Sequence, residues 1–203
     1  MTVYTKNYAP PSVDEKEIFR YAGIAKSKEA PDELQKMLSL CLSQALPRLS
    51  YRVCYTSFPI IQKENTLDLG FTETESKALA KNLSGCEEII LFCATLGIEL
   101  DRLIAKCTSL YPTKALFFQA IGAERVEKLC EEFISDLEKE YKAKGKILHP
   151  RFSPGFADFP LSYQKDIFAA LSPHKHIGVT LGEYMLMSPT KSVTAIVGIE
   201  KKN

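Results

Sequence analysis

The chain has 203 residues, 45% of them hydrophobic and 25% charged, with a formal net charge of +1. That size and composition suit one globular domain whose core needs no disulfide or metal staple. A near-zero charge argues against a broad nucleic-acid surface, which leaves a basic footprint, and no apolar run approaches the ~18–20 residues of a membrane span.

Residues 1–11 read as an irregular arm, closed by Pro10-Pro11, of a single domain spanning 1–203. The segment Met-Thr-Val-Tyr-Thr-Lys lacks the apolar centre of a signal peptide, so a cytoplasmic protein is expected. Ser12-Val-Asp-Glu15 has the form of a capping box and opens a short helix that Gly23 closes. Pro31 is placed as a first-turn proline, and Leu34, Met37, Leu38, Cys41, Leu42 and Ala45 follow at helical spacing. Tyr51, Val53 and Tyr55 alternate with Arg52, Cys54 and Thr56 as in a strand with one wet face. Thr72-Glu-Thr-Glu75 is a second capping box, predicting a helix that reaches about Ser84. Ile89-Ile-Leu-Phe-Cys-Ala94 is a continuous apolar run, short enough for a buried central strand.

Leu100, Leu103, Ile104 and Cys107 mark a helix that Pro112 breaks. The longest helix follows, from about Thr113 to Lys142, with Val126, Cys130, Phe133, Leu137 and Tyr141 as its core stripe and Gly145 as its stop. Residues 146–161 lack a clean period and carry Pro150, Pro154, Gly155 and Pro160, the composition of a shaped loop that bears binding residues. Ser162 caps a short helix ending near Leu171. Ile177, Val179 and Leu181 alternate, as do Val193, Ala195, Val197 and Ile199, and these two segments read as antiparallel neighbours. Strands and helices without regular βαβ spacing point to an α+β fold. The cysteines at 41, 54, 86, 93, 107 and 130 are scattered with no Cys-x-x-Cys, which reads as reduced core thiols.

The chemistry centres on Arg151-Phe152-Ser153-Pro154-Gly155-Phe156. An arginine grips a carboxylate with two parallel hydrogen bonds. A glycine lets backbone come close to a ligand, and an aromatic ring packs over an apolar or cationic group. The pattern therefore describes a clamp for a small amino-acid ligand, with a solvated loop arginine as the plain alternative. Glu127 sits at the flank of the apolar stripe of the long helix, where a carboxylate reaches a neighbouring cleft. His174-x-His176 has no third ligand nearby and reads as surface. No Gly-x-Gly, P-loop, Gly-x-Ser-x-Gly or Asp-x-His-x-x-Gly occurs, so Rossmann-type methyltransferase, nucleotide-hydrolase, serine-hydrolase and cobalt-ligating signatures are absent.

The ordered series Ala94-Thr-Leu-Gly97, Ala120–Glu127, Arg151–Phe156, Pro160–Phe168, Ile177–Leu181 with Glu183, Met185, Met187 and Pro189, and Lys191–Gly198 resembles the activation domain of cobalamin-dependent methionine synthase. The match covers roughly residues 85–199, and residues 1–60 are only loosely similar. The resemblance implies an α+β domain with an antiparallel sheet packed with helices. It implies S-adenosylmethionine (SAM) bound by Arg151, Ser153, Gly155, Phe156, Glu127 and Glu183, with Glu124 the fallback for Glu127. It also implies cobalamin carried by a corrinoid-binding methionine synthase chain and an electron from a flavodoxin-like donor. The chain would then be part of a methyltransferase system, reactivating the partner by reductive methylation, and not a complete enzyme alone.

Two departures leave alternatives open. The family commonly has Tyr where Phe156 stands, and Thr-Glu-Ser where this chain has Gly182-Glu183-Tyr184. With the end of the chain at Asn203, these favour a docking or regulatory module that no longer binds SAM. A SAM-dependent methyltransferase with another acceptor is a third reading.

Overall fold

The computed structural model describes residues 2–24 and 31–201. In chain order its elements are β1 (Tyr4–Tyr8), α1 (Glu15–Tyr21), α2 (Asp32–Ala45), β2 (Tyr51–Pro59), β3 (Ile61–Gln62), β4 (Leu67–Asp68), β5 (Glu73–Thr74) and α3 (Lys77–Asn82). They continue with β6 (Cys86–Thr95), α4 (Glu99–Thr108), α5 (Pro112–Ala143), β7 (Lys146–Leu148), α6 (Gln164–Leu171), α7 (Pro173–His176), β8 (Thr180–Leu181), β9 (Met187–Ser188) and β10 (Ser192–Lys201).

A five-stranded sheet of order β1-β2-β6-β10-β7 is antiparallel throughout. Alternation along β6 explains its unbroken apolar run: Ile90, Phe92 and Ala94 enter one core, and Ile89, Leu91 and Cys93 enter another on the opposite face. The first core is covered by α1, α2, α4 and the 32-residue α5. The second is covered by α3, α6 and residues 177–179. A single α+β domain with a sheet between two apolar layers results, as the sequence predicts.

Local corrections concern caps and edges. The expected irregular arm contains β1, which pairs residue for residue with β2 from Tyr4↔Tyr55 to Tyr8↔Tyr51. Its alternation was masked because an edge strand keeps one side of its backbone and much of its side-chain surface in water. Met1 and Lys202–Asn203, the ends of the 1–203 span, lie outside the described residues. The cap of α1 is Asp14, two residues past Ser12, and its carboxylate accepts from the Lys16 and Glu17 N–H groups at 3.1 and 3.2 Å. Thr72–Glu75 opens no helix: Glu73–Thr74 is β5, and α3 is capped by Ser76, whose Oγ accepts from Leu79 N–H at 3.1 Å. Asp158 completes that cap from across the fold, accepting from Ser76 Oγ at 2.5 Å and Lys77 N–H at 2.8 Å. Pro31 stands at the N-cap of α2, just outside its first turn.

The largest difference lies at the C-terminal end. Residues 177–181 do not pair with β10. Thr180–Leu181 forms a small hairpin with Met187–Ser188, while β10 inserts between β6 and β7. Past β7 the chain keeps touching β10: His149 N–H donates to Gly198 C=O at 2.9 Å, and Phe152 and Ile196 exchange two bonds of 2.8 Å. At Ser153 it turns away, and Ser192–Thr194 of β10 border an open cleft.

Candidate functional site

That cleft has a volume of about 600 Å³, within the ~300–1,000 Å³ of small-molecule sites. One wall is Arg151–Pro154 with Phe156; the other is Met185–Met187 of the hairpin. Glu127 of α5, Leu161, Gln164, Thr190 and Ser192–Thr194 complete the lining.

Arg151 donates from Nη2 to the Glu127 carboxylate, and the two side chains are 30% and 35% exposed. The pair is thus reachable from water. A zwitterion can join it without a large desolvation cost, its carboxylate on the guanidinium and its ammonium on Glu127. Ser153 C=O accepts from Phe156 N–H at 3.2 Å, and Gly155 N–H donates to Phe159 C=O at 2.8 Å. Gly155 has φ +88°, a conformation in which a side chain is strained. The turn stands the Phe156 ring edge-on to Phe152, at 5.3 Å and 80°, and leaves it 64% exposed at the mouth.

Four of the six sequence-nominated residues therefore line the cleft: Arg151, Ser153, Phe156 and Glu127. Gly155 shapes the turn behind it without lining it. Glu183 does not line it either: it is exposed, and it precedes a turn in which Tyr184 and Met185 both have positive φ. Met185, Leu186 and Met187 at and after that turn line the cleft. Glu124 is excluded as a substitute for Glu127. It is buried beside Arg125, and its Oε1 accepts from Asp14 N–H at 3.0 Å, away from the cleft lining. His174 and His176 are exposed on α7.

Gln164, Ser192 and Thr194 were missed. Gln164 is buried, and its Oε1 accepts from Thr194 Oγ1 at 2.9 Å. A signal existed: Gln164, Ile167 and Leu171 share one helical face, and the amide is the polar member of an apolar stripe. Ser192 Oγ lies 2.8 Å from both Thr95 Oγ1 and Pro189 C=O.

The loop carrying Arg151 is anchored by His149. Its Nδ1 lies 2.6 Å from Asn82 C=O and its Nε2 2.8 Å from Glu200. Both partners accept, so the imidazolium alone satisfies both. The Glu200 carboxylate, aided by the Asn82 carbonyl, raises the His149 pKa above its usual 6.5. A raised folded-state value means stability that is complete below about 6.5 and lost as pH rises through the higher folded value. We expect the difference in thermal stability between the wild type and His149→Gln to be largest near pH ~6 and to shrink by pH ~8.5. A pH series of melting curves measures it, and a pH-independent difference would deny His149 the charge.

Comparison with protein-family profiles finds no match, and comparison with curated proteins finds none. Comparison with solved structures does. A crystal structure of the MetH reactivation domain bound to AdoHcy is similar at a TM-score of 0.66 and 17% identity, over 98% of this chain and 78% of that one. No helix among the described residues is long and apolar enough to cross a membrane. The chain has the fold of the MetH reactivation domain.

Proposed function

We propose that the chain binds SAM in the Arg151–Glu127 cleft and serves as the reactivation subunit of a cytoplasmic cobalamin-dependent methionine synthase. The observation that carries this reading is the accessible Arg151–Glu127 pair lining a cleft of about 600 Å³. Arg151 takes the amino-acid carboxylate and Glu127 the ammonium. Phe152, Phe156 and the methionines Met185 and Met187 offer apolar and soft surface to the rest of the ligand. SAM supplies an electrophilic sulfonium methyl, and cobalamin on the partner chain supplies the acceptor once a flavodoxin-like donor has reduced it. No general acid or base is required, and the contribution of this chain is placement.

The rim is suited to docking. Phe156, Leu161 and Leu186 of the cleft lining are exposed, and so is Tyr184, by 83%, next in the chain to the lining residue Met185. Two adjacent residues at positive φ hold Tyr184 outward, a conformation that costs of order 1–3 kcal/mol each and persists mainly where function needs it. A second reading, a docking module without SAM, is favoured by Phe156. Its ring lacks the hydroxyl the family commonly has there, and one lost hydrogen bond costs about 0.5–1.5 kcal/mol, roughly three- to tenfold in affinity.

Calorimetric titration with SAM and with AdoHcy separates the two. Micromolar to sub-millimolar binding supports the first reading. No binding at millimolar ligand, either alone or with a corrinoid protein present, supports the second.

A further inference from the structure

A second cleft lies on the helical face of the sheet. Its lining residues on α5 begin at Leu137, ten residues or ~15 Å along the helix from Glu127. It has a volume of about 360 Å³, and its lining includes Tyr4, Tyr55, Tyr141 and Glu140, with Ile90 and Leu137 as the apolar part. Tyr4 and Tyr55 are directly paired across β1 and β2, with ring centroids 5.6 Å apart. Tyr55 in turn rests on buried Phe133 at 5.2 Å, which fixes its ring. Tyr141 comes from α5, and Glu140 stands beside it.

This surface already holds two ammonium groups, Lys146 Nζ lying 5.9 Å from the Tyr141 centroid. Lys144 Nζ is 5.0 Å from the centroid of Tyr141 and 2.6 Å from Glu140 Oε1. Both members of that ion pair are more than half exposed, so the pair contributes little and yields readily to a competing cation. Burial, with the charges of Glu88 and Glu140 adding to it, raises the Tyr141 phenol to about 12. Burial and then Glu140 raise Tyr55, against Lys6. The rings stay neutral at ordinary pH, and both feel the negative charge of Glu140.

We propose that Tyr4, Tyr55, Tyr141 and Glu140 form a binding site for a small quaternary-ammonium ligand. Aromatic faces attract a cation through their quadrupoles, and quaternary ammonium groups are the usual guests of such cages. Ser57, Ile90 and Leu137 complete the lining. Glu140 supplies the counter-charge. The site is independent of the SAM cleft and does not rest on the function proposed for it.

The test is a calorimetric titration of the whole chain with choline chloride, beside its uncharged carbon analogue 3,3-dimethylbutan-1-ol and sodium chloride. Choline is expected to bind with a dissociation constant of about 1 mM or tighter, and the neutral analogue at least ~10-fold more weakly. Tyr141→Leu and Glu140→Gln are each expected to weaken choline about fivefold or more. Glu140 is exposed, so Glu140→Gln keeps the fold even if Tyr141→Leu does not. Glu140→Gln is also expected to leave binding at the Arg151 cleft unchanged. Equal binding of choline and the neutral alcohol, no binding at ~20 mM choline, or unchanged choline affinity in Glu140→Gln would overturn the proposal.

Discussion

Arg151→Ala is expected to weaken SAM binding at least about tenfold, or 1.4 kcal/mol, without unfolding the protein. Hydrogen bonds to a charged group contribute ~1.5–3 kcal/mol, and a forked guanidinium–carboxylate contact lies at the upper end. The substitution removes that contact from the ligand and leaves Glu127 without its partner. Glu127 is 35% exposed, so water replaces the guanidinium and the folded state loses little. Arg151→Lys should recover only part of the affinity, because an ammonium cannot make the planar fork. Calorimetry gives the affinities and a melting curve checks the fold. Unchanged affinity in Arg151→Ala would remove Arg151 from the site.

Arg125→Met carries the largest expected loss of stability, about 3–5 kcal/mol. Arg125 and Glu124 side chains are 0% and 2% exposed and form an ion pair at adjacent positions of α5. Arg125 also donates to Ser12 C=O at 2.6 Å and Pro11 C=O at 2.8 Å, while Glu124 accepts from Asp14 N–H at 3.0 Å. The pair thus satisfies the backbone that leads into α1. Methionine fills the space but strands the Glu124 carboxylate in the core, and breaking one side of a buried pair costs more than replacing both. The melting temperature should fall by roughly 6–20 °C, at ~2–4 °C per kcal/mol for a chain of this size. Adding Glu124→Gln should restore much of the loss. A single-variant loss below ~1 kcal/mol would mean the pair is not buried in solution. SAM affinity measured below the transition should be unchanged, since neither residue lines the cleft.

The pair also shows why the two neighbouring glutamates were hard to separate from the sequence. Glu124 and Glu127 are three residues apart, nearly on one face of α5, and helical spacing cannot say which meets a ligand. Packing decides. The segment carrying Ser12 and Asp14 covers Glu124, and the 146–156 loop brings Arg151 to Glu127. Glu183 shows the reverse case: it follows an alternating segment that looks continuous with a strand, yet it stands exposed just before a turn in which Tyr184 and Met185 have positive φ. Neither tyrosine nor methionine advertises a left-handed turn as glycine would.

Periodicity by itself determined the central strand β6, the length and buried stripe of α5, and the loop that bears Arg151. Each rests on contacts or conformations set within a few residues, where hydrophobic spacing and proline or glycine act directly. The tertiary structure alone decided that β10 lies between β6 and β7, that β1 is an edge strand, and that Gln164, Thr194 and Met185–Met187 complete a cleft around Arg151. These depend on which strand edges meet and which turns leave an edge open, choices made by burial across long chain separations that no local pattern encodes.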